Sequence, residues 1–317
     1  MILKNATVFN GDFEKVRADV AIEGERISKI GDLSGEDELD LTDMTVMPGL
    51  IDIHIHGANM ECPYIAMSKK GAQNPLYVRN PDKEEFKRLF DGCNGSIKVV
   101  DIAPECDGGD EFIKEIQPIC PVSIAHTDAG YDEAVHAIEL GVRHITHLFN
   151  AQSGLHHRKP GVVGAAFDVG KEKGVRAELI CDGFHIHPAT LRIAFRAMGE
   201  DGTVIVSDSM KAAGCPDGDY DLGGQPVYVR DGKALLADGT IAASTSNVYK
   251  ELKNVISFGI PEKQAVKSAT INPAKAIRAD RETGSIEEGK LADILVVDKD
   301  YNIRLVIVKG KIKVNNL

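Results

Sequence analysis

The chain has 317 residues, 43% of them hydrophobic and 27% charged, the balance of an ordinary globular protein long enough for one large domain and an appendage. Its 37 Lys and Arg against 48 Asp and Glu leave a formal net charge of −11. That excess argues against a general affinity for nucleic acid or anionic lipid, and any anionic ligand must be held by a local cationic pocket. No apolar stretch approaches bilayer length, so no membrane partner is expected.

The first residues are interrupted too soon for a secretory signal, so a cytoplasmic location is expected. Short strands are predicted over 2–8, 19–23 and 26–30, separated by Asn10-Gly11-Asp12 and Glu23-Gly24-Glu25. At the other end, 292–298 and 303–308 are equally β-rich, with Lys309-Gly310-Lys311 as a tight turn. Neither terminal segment can bury a sheet face alone, so 1–49 and 283–317 are expected to pack as one small β domain. Between them, over 50–282, apolar strands alternate with segments of helical period. The strands are predicted at 49–56, 97–103, 121–125, 144–149, 176–181 and 204–207. Helices fall at 82–90, 110–117, 130–140, 161–173, 188–198, 246–258, 262–270 and 272–279. This is the pattern of a parallel α/β sheet or barrel, with six barrel-type strands. A polar, turn-rich β insertion occupies 219–244. Six cysteines are scattered without a CxxC pair, which suggests reduced thiols and neither a disulfide framework nor a thiolate zinc site.

His54 and His56 lie two apart on the first predicted barrel strand, so both side chains leave one face near its carboxyl end. His126, His147 and Asp208 each fall at or near the carboxyl end of a later strand. In a parallel barrel those ends converge on one rim, where active sites are built. Histidines and a carboxylate gathered there suit zinc or another divalent first-row metal.

The ordered motifs carry a resemblance. They stand as Met47-Pro48-Gly49-Leu50-Ile51-Asp52-Ile53-His54-Ile55-His56-Gly57, Glu61-Cys62-Pro63-Tyr64, Lys69-Lys70-Gly71-Ala72-Gln73-Asn74-Pro75 and Ala125-His126-Thr127-Asp128-Ala129. They continue as Thr146-His147-Leu148-Phe149-Asn150-Ala151, Arg158-Lys159-Pro160-Gly161, Asp182-Gly183-Phe184-His185, Ser207-Asp208-Ser209-Met210 and Gly239-Thr240-Ile241-Ala242-Ala243-Ser244. Nearly end to end, the chain resembles the N-acetylglucosamine-6-phosphate deacetylase family of the amidohydrolase superfamily.

That resemblance implies a TIM-like (β/α) barrel with a small β-sandwich domain from both termini. The implied reaction is metal-dependent hydrolysis of the acetamido group of N-acetylglucosamine 6-phosphate to glucosamine 6-phosphate and acetate, in amino-sugar catabolism. Glu61, His126 and His147 would hold a principal divalent ion, zinc or iron, and His54 with His56 a second. Asp208 would carry the proton from the attacking water to the departing amine. Ala72, Asn150, Ala151, His185, Ile241, Ala242 and Ala243 would contact substrate, and Arg158 offers a planar donor fork for the 6-phosphate. A homodimer is expected. The neighbouring readings are a deacetylase for the galacto epimer, a dihydroorotase-like enzyme, or a catalytically impaired remnant.

Three residues depart from the family pattern. Cys62 and Ala243 stand where the family has glycine, and Gln73 stands where some members use histidine. The largest departure is a gap, because only four residues separate His56 from Glu61. With about 30 residues per βα unit, two absent units amount to about 60 residues. The join falls near Asn59 and Met60, and the barrel is incomplete near 57–60. Such a break should leave open strand edges and exposed apolar surface.

Overall fold

A computed structural model describes residues 1–54 and 59–317. Its contacts divide the chain into two compact units, Met1–Ile51 with Pro261–Leu317, and Asp52–Ile260. The sequence reading drew the barrel segment as 50–282. In the contacts it ends at Ile260, and the helices Glu262–Ala269 and Ile271–Ala276 group with the terminal strands.

The terminal unit is built on one sheet. Its β-hairpin of Ile2–Phe9 and Lys15–Glu23 turns where the Asn10 side chain accepts from the N–H groups of Asp12 at 3.0 Å and Glu14 at 2.9 Å. Arg26–Gly31 extends the sheet on that side. The strand Thr45–Pro48 splices the two chain ends together, because it runs parallel to Ile2–Phe9 and antiparallel to Ile294–Val297. Ile303–Val308 and Lys311–Asn315 continue the antiparallel ladder beyond it. The alternating inward side chains, among them Leu3, Val8, Val20, Val46, Ile294 and Leu305, form a single buried cluster.

The second unit is organised by a five-stranded parallel sheet. Val100–Ile102, Val122–Ile124, His144–Ile145, Arg176–Ile180 and Thr203–Val206 lie side by side in chain order. Helices Gly109–Ile116, Tyr131–Glu139, Gly161–Lys173 and Pro188–Met198 follow the first four in turn. Nearly every strand residue is buried, the polar Asp101, Ser123, His144 and Glu178 included, as expected for a parallel sheet covered on both faces. The polar insertion forms a separate antiparallel sheet of Gly218–Leu222, Gln225–Arg230, Lys233–Leu235 and Ile241–Ser244.

Two strand predictions need correction. Over 49–54 no ladder forms, and 55–56 lie outside the described residues, so five regular parallel strands replace the expected six among the described residues. Here the side chain of Asp52 takes the backbone N–H and the hydroxyl of Ser207, where a strand would have offered its own backbone. The strand expected over 144–149 is two residues long. His147, Phe149 and Ala151 adopt positive φ, which turns the chain out of extended geometry.

The segments that flank residues 55–58 lie on the two edges of the parallel sheet. On the Thr203–Val206 side, the N–H of Asp208 donates to the carbonyl of His54 at 2.9 Å. On the Val100–Ile102 side, Met60 bridges Val100 in parallel and its carbonyl accepts from the N–H of Asp101 at 3.0 Å.

Candidate active site

Three of the expected site residues share one backbone device. His126, His147 and Asp208 each lie two residues past a parallel strand, with φ of +42°, +28° and +47°. Non-glycine residues rarely occupy that region, so these positions store strain that the surrounding structure must support. At Asp208 the support is visible: its N–H donates to His54, and its carbonyl accepts from the N–H of Ser244 at 2.8 Å.

Glu61 enters directly after the Met60 bridge and lies at the centre of the cluster. Its Oε1 accepts from Nε2 of His126 at 2.8 Å and from Nε2 of His147 at 2.9 Å. Nε2 of His54 stands 3.9 Å from the same oxygen and 3.5 Å from Oδ1 of Asp208. The other oxygen of Glu61 accepts from the Gln73 amide. His126 is fixed from behind, since its Nδ1 donates to the carbonyl of Lys69 at 2.6 Å. The loop carrying Lys69 comes close because Gly71 (φ +55°) lies against the imidazole, where a Cβ would sit 3.3 Å from Cε1 of His126. Donor atoms of His54, Glu61 and His147 lie within 4.8 Å of one another, so this cluster could hold a metal ion. Imidazole and carboxylate donors in this number fit a divalent first-row ion.

The electrostatics follow from burial and pairing. Burial pushes the Glu61 carboxyl upward, but His126 and the hydrogen bond from His147 outweigh it and hold the group well below the usual range. For His54, burial favours the neutral ring, yet the carboxylates of Glu178 and Asp208 raise it well above its ordinary value. Deeper in the sheet Asp101 is pushed up to about 8 by burial, with the Glu178 and Glu61 charges adding to the effect.

A cavity of about 350 Å³ opens on this cluster. Glu61, His126, His147 and Asp208 line it together with Ala72, Asn150, Ala151, His185, Ile241, Ala242 and Ala243. The His185 ring is set by its Nδ1, which donates to Oδ2 of Asp182 at 2.7 Å. His54 is buried immediately beside this wall, and His56 lies outside the described residues. Arg158 is exposed on its loop and is not part of the wall. Ser68, Lys69, Gly71, Gln73 and Thr240 line the cavity without having been singled out as site residues. Glu178 and Asp101 were missed altogether, although a carboxylate inside a buried apolar strand is itself a signal. No helix among the described residues is long and apolar enough to cross a membrane.

The amidohydrolase family model matches residues 63–313. An N-acetylglucosamine-6-phosphate deacetylase of Bacillus subtilis (strain 168) is 36% identical over 265 residues, covering 83% of this chain and 66% of the relative. The chain thus spans just under two thirds of that relative's length. One from Lysinibacillus sphaericus is 28% identical over 382 aligned residues, covering 99% of this chain and 98% of the relative. That aligned length exceeds the 317 residues here, so the alignment opens gaps within this chain. Among solved structures, a mutant N-acetyl-D-glucosamine-6-phosphate deacetylase from Mycobacterium smegmatis in complex with N-acetyl-D-glucosamine-6-phosphate superposes with a TM-score of 0.91. It is 26% identical and is matched over 98% of both chains.

Proposed function

Because this chain belongs to the amidohydrolase family, built as a (β/α) barrel with a small β domain, we propose that it hydrolyses the acetamido group of N-acetylglucosamine 6-phosphate. The products are glucosamine 6-phosphate and acetate. One observation carries the reading: Glu61, His126, His147 and Asp208 meet on one cavity wall with Asn150, Ala151, His185 and the 241–243 segment. Relatives named for deacetylation of this amino-sugar phosphate match most of this chain.

Glu61, His126 and His147 would hold a divalent ion, zinc or iron, with His54 beside them. Such an ion, when bound, supplies Lewis acidity toward the amide carbonyl and hydroxide at neutral pH. The chain's own groups do the rest. Asp208 accepts the proton of the attacking water and delivers it to the sugar nitrogen, which must leave as an amine. Its strained backbone, anchored to His54 and Ser244, aims the carboxylate at the Glu61 cluster. Ala72, Asn150, Ala151, His185, Ile241, Ala242 and Ala243 surround the sugar. Arg158, with Lys69 on the cavity wall, supplies positive charge for the phosphate. A homodimer belongs to the same reading, and light scattering tests it.

Acetate release from N-acetylglucosamine 6-phosphate, measured with and without chelator and beside the galacto epimer, tests the proposal. Chelator-sensitive release that favours the gluco substrate is the expected outcome. Its absence in a zinc-loaded, folded chain refutes the assignment.

A further inference from the structure

Beneath the cluster, on the third position of Arg176–Ile180, lies a fully buried carboxylate that the reaction as described does not use. Glu178 Oε2 accepts from Nδ1 of His54 at 2.7 Å and from the backbone N–H of His147 at 3.2 Å. Its Oε1 accepts from Nε2 of His144 at 2.8 Å. One carboxylate is therefore tied to two residues of the candidate metal cluster, to the ring of one and to the strained main chain of the other. His144, also buried, holds the other oxygen of this carboxylate.

We propose that Glu178 is the positioning residue of this site: it fixes the proton on Nδ1 of His54, so that Nε2 is presented as a ligand atom, and it sets the backbone from which His147 projects. This deepens the metal-dependent reading above and rests on it. The physical basis is general. A histidine that binds metal through one ring nitrogen needs the other pinned by an acceptor, which selects the tautomer and the ring angle. A carboxylate can accept from His54, His144 and the His147 N–H together. A glutamine has one acceptor oxygen and an NH₂ group that can only donate, so it cannot serve both rings as they stand.

The test uses the full chain, loaded with Zn²⁺ for affinity and with Co²⁺ for the visible spectrum of the bound ion. Glu178→Gln should weaken zinc, measured by chelator competition, by about 10- to 100-fold and shift the cobalt bands, with the fold retained by circular dichroism. Glu178→Asp keeps the charge and should recover part of the affinity. His144→Asn, which removes only the outer anchor, should move zinc affinity in the same direction by a smaller factor. Wild-type zinc affinity and an unaltered cobalt spectrum in folded Glu178→Gln overturn the positioning role alone. Should that variant not fold, unchanged zinc affinity and cobalt bands in both Glu178→Asp and His144→Asn overturn it equally. A wild-type chain that takes up neither metal overturns the metal-dependent reading itself.

Discussion

Asp101 offers a test of how the interior of the parallel sheet is stabilised. Its side chain is fully buried, with Oδ1 2.8 Å from the Thr146 hydroxyl and Oδ2 accepting from the Asn59 amide at 2.9 Å. Burial raises its pKa from 3.8 to about 8, so the folded metal-free chain keeps this acid protonated at neutral pH while the unfolded chain ionises it. An acid with a raised folded pKa stabilises fully below its unfolded value, and that contribution drains away as pH rises toward 8. Each pH unit costs about 1.4 kcal/mol, so about 4 kcal/mol is lost between pH 4 and pH 7. Asp101→Asn removes the titration and keeps the shape. An asparagine with its oxygen toward Asn59 can donate its NH₂ to the Thr146 hydroxyl, which in turn bonds Ser123. The variant should therefore match wild type near pH 4 and exceed it increasingly above, by up to about 10 °C in Tm at pH 7. Calorimetry in chelator across that range measures the difference. A gap that does not change with pH, or a variant less stable throughout, would refute the reasoning.

The remaining expectations concern the site. Glu61→Gln, His126→Ala and His147→Ala should each strip most of the bound divalent metal, read by elemental analysis, and full retention in all three would undo the ligand set. Asp208→Asn should lower acetate release by about 10²- to 10⁴-fold with metal content kept, because an amide holds the shape but carries no proton at neutral pH. Activity within a few-fold of wild type would assign the proton to another group. Arg158→Ala and Lys69→Ala should raise KM for the phosphorylated sugar more than for its unphosphorylated analogue. Equal effects on both substrates would remove the tested residue from phosphate recognition.

His126 and Asp208 were legible because each closes a mainly apolar buried run, where a polar residue is conspicuous, and His147 because it lies near the carboxyl end of its predicted strand. Glu178 and Asp101 are just as buried, yet they escaped notice. Only the tertiary packing shows that these strand carboxylates meet His54, His144 and Thr146. The run at 49–54 misled for the opposite reason. Its composition is that of a strand, but the side chain of Asp52, not a ladder, makes the contact with Ser207. Composition records which residues prefer extended backbone, and it is silent on whether a partner strand is there to pair with.

The short path from His54 to Glu61 is where chain length and site geometry constrain each other. Five steps of chain join His54 to Asn59, so those two positions stand no more than about 18 Å apart. Each is pinned to a different edge of the parallel sheet, His54 through Asp208 and Asn59 through its amide on Asp101. The same segment delivers His54 and Glu61 to within 3.9 Å of each other. At each edge the described residues next to the join make a backbone contact, His54 with Asp208 and Met60 with Val100 and Asp101. Lengthening the join with inert residues should loosen His54 and Glu61 together, while leaving His126 and His147, which follow interior strands, where they are.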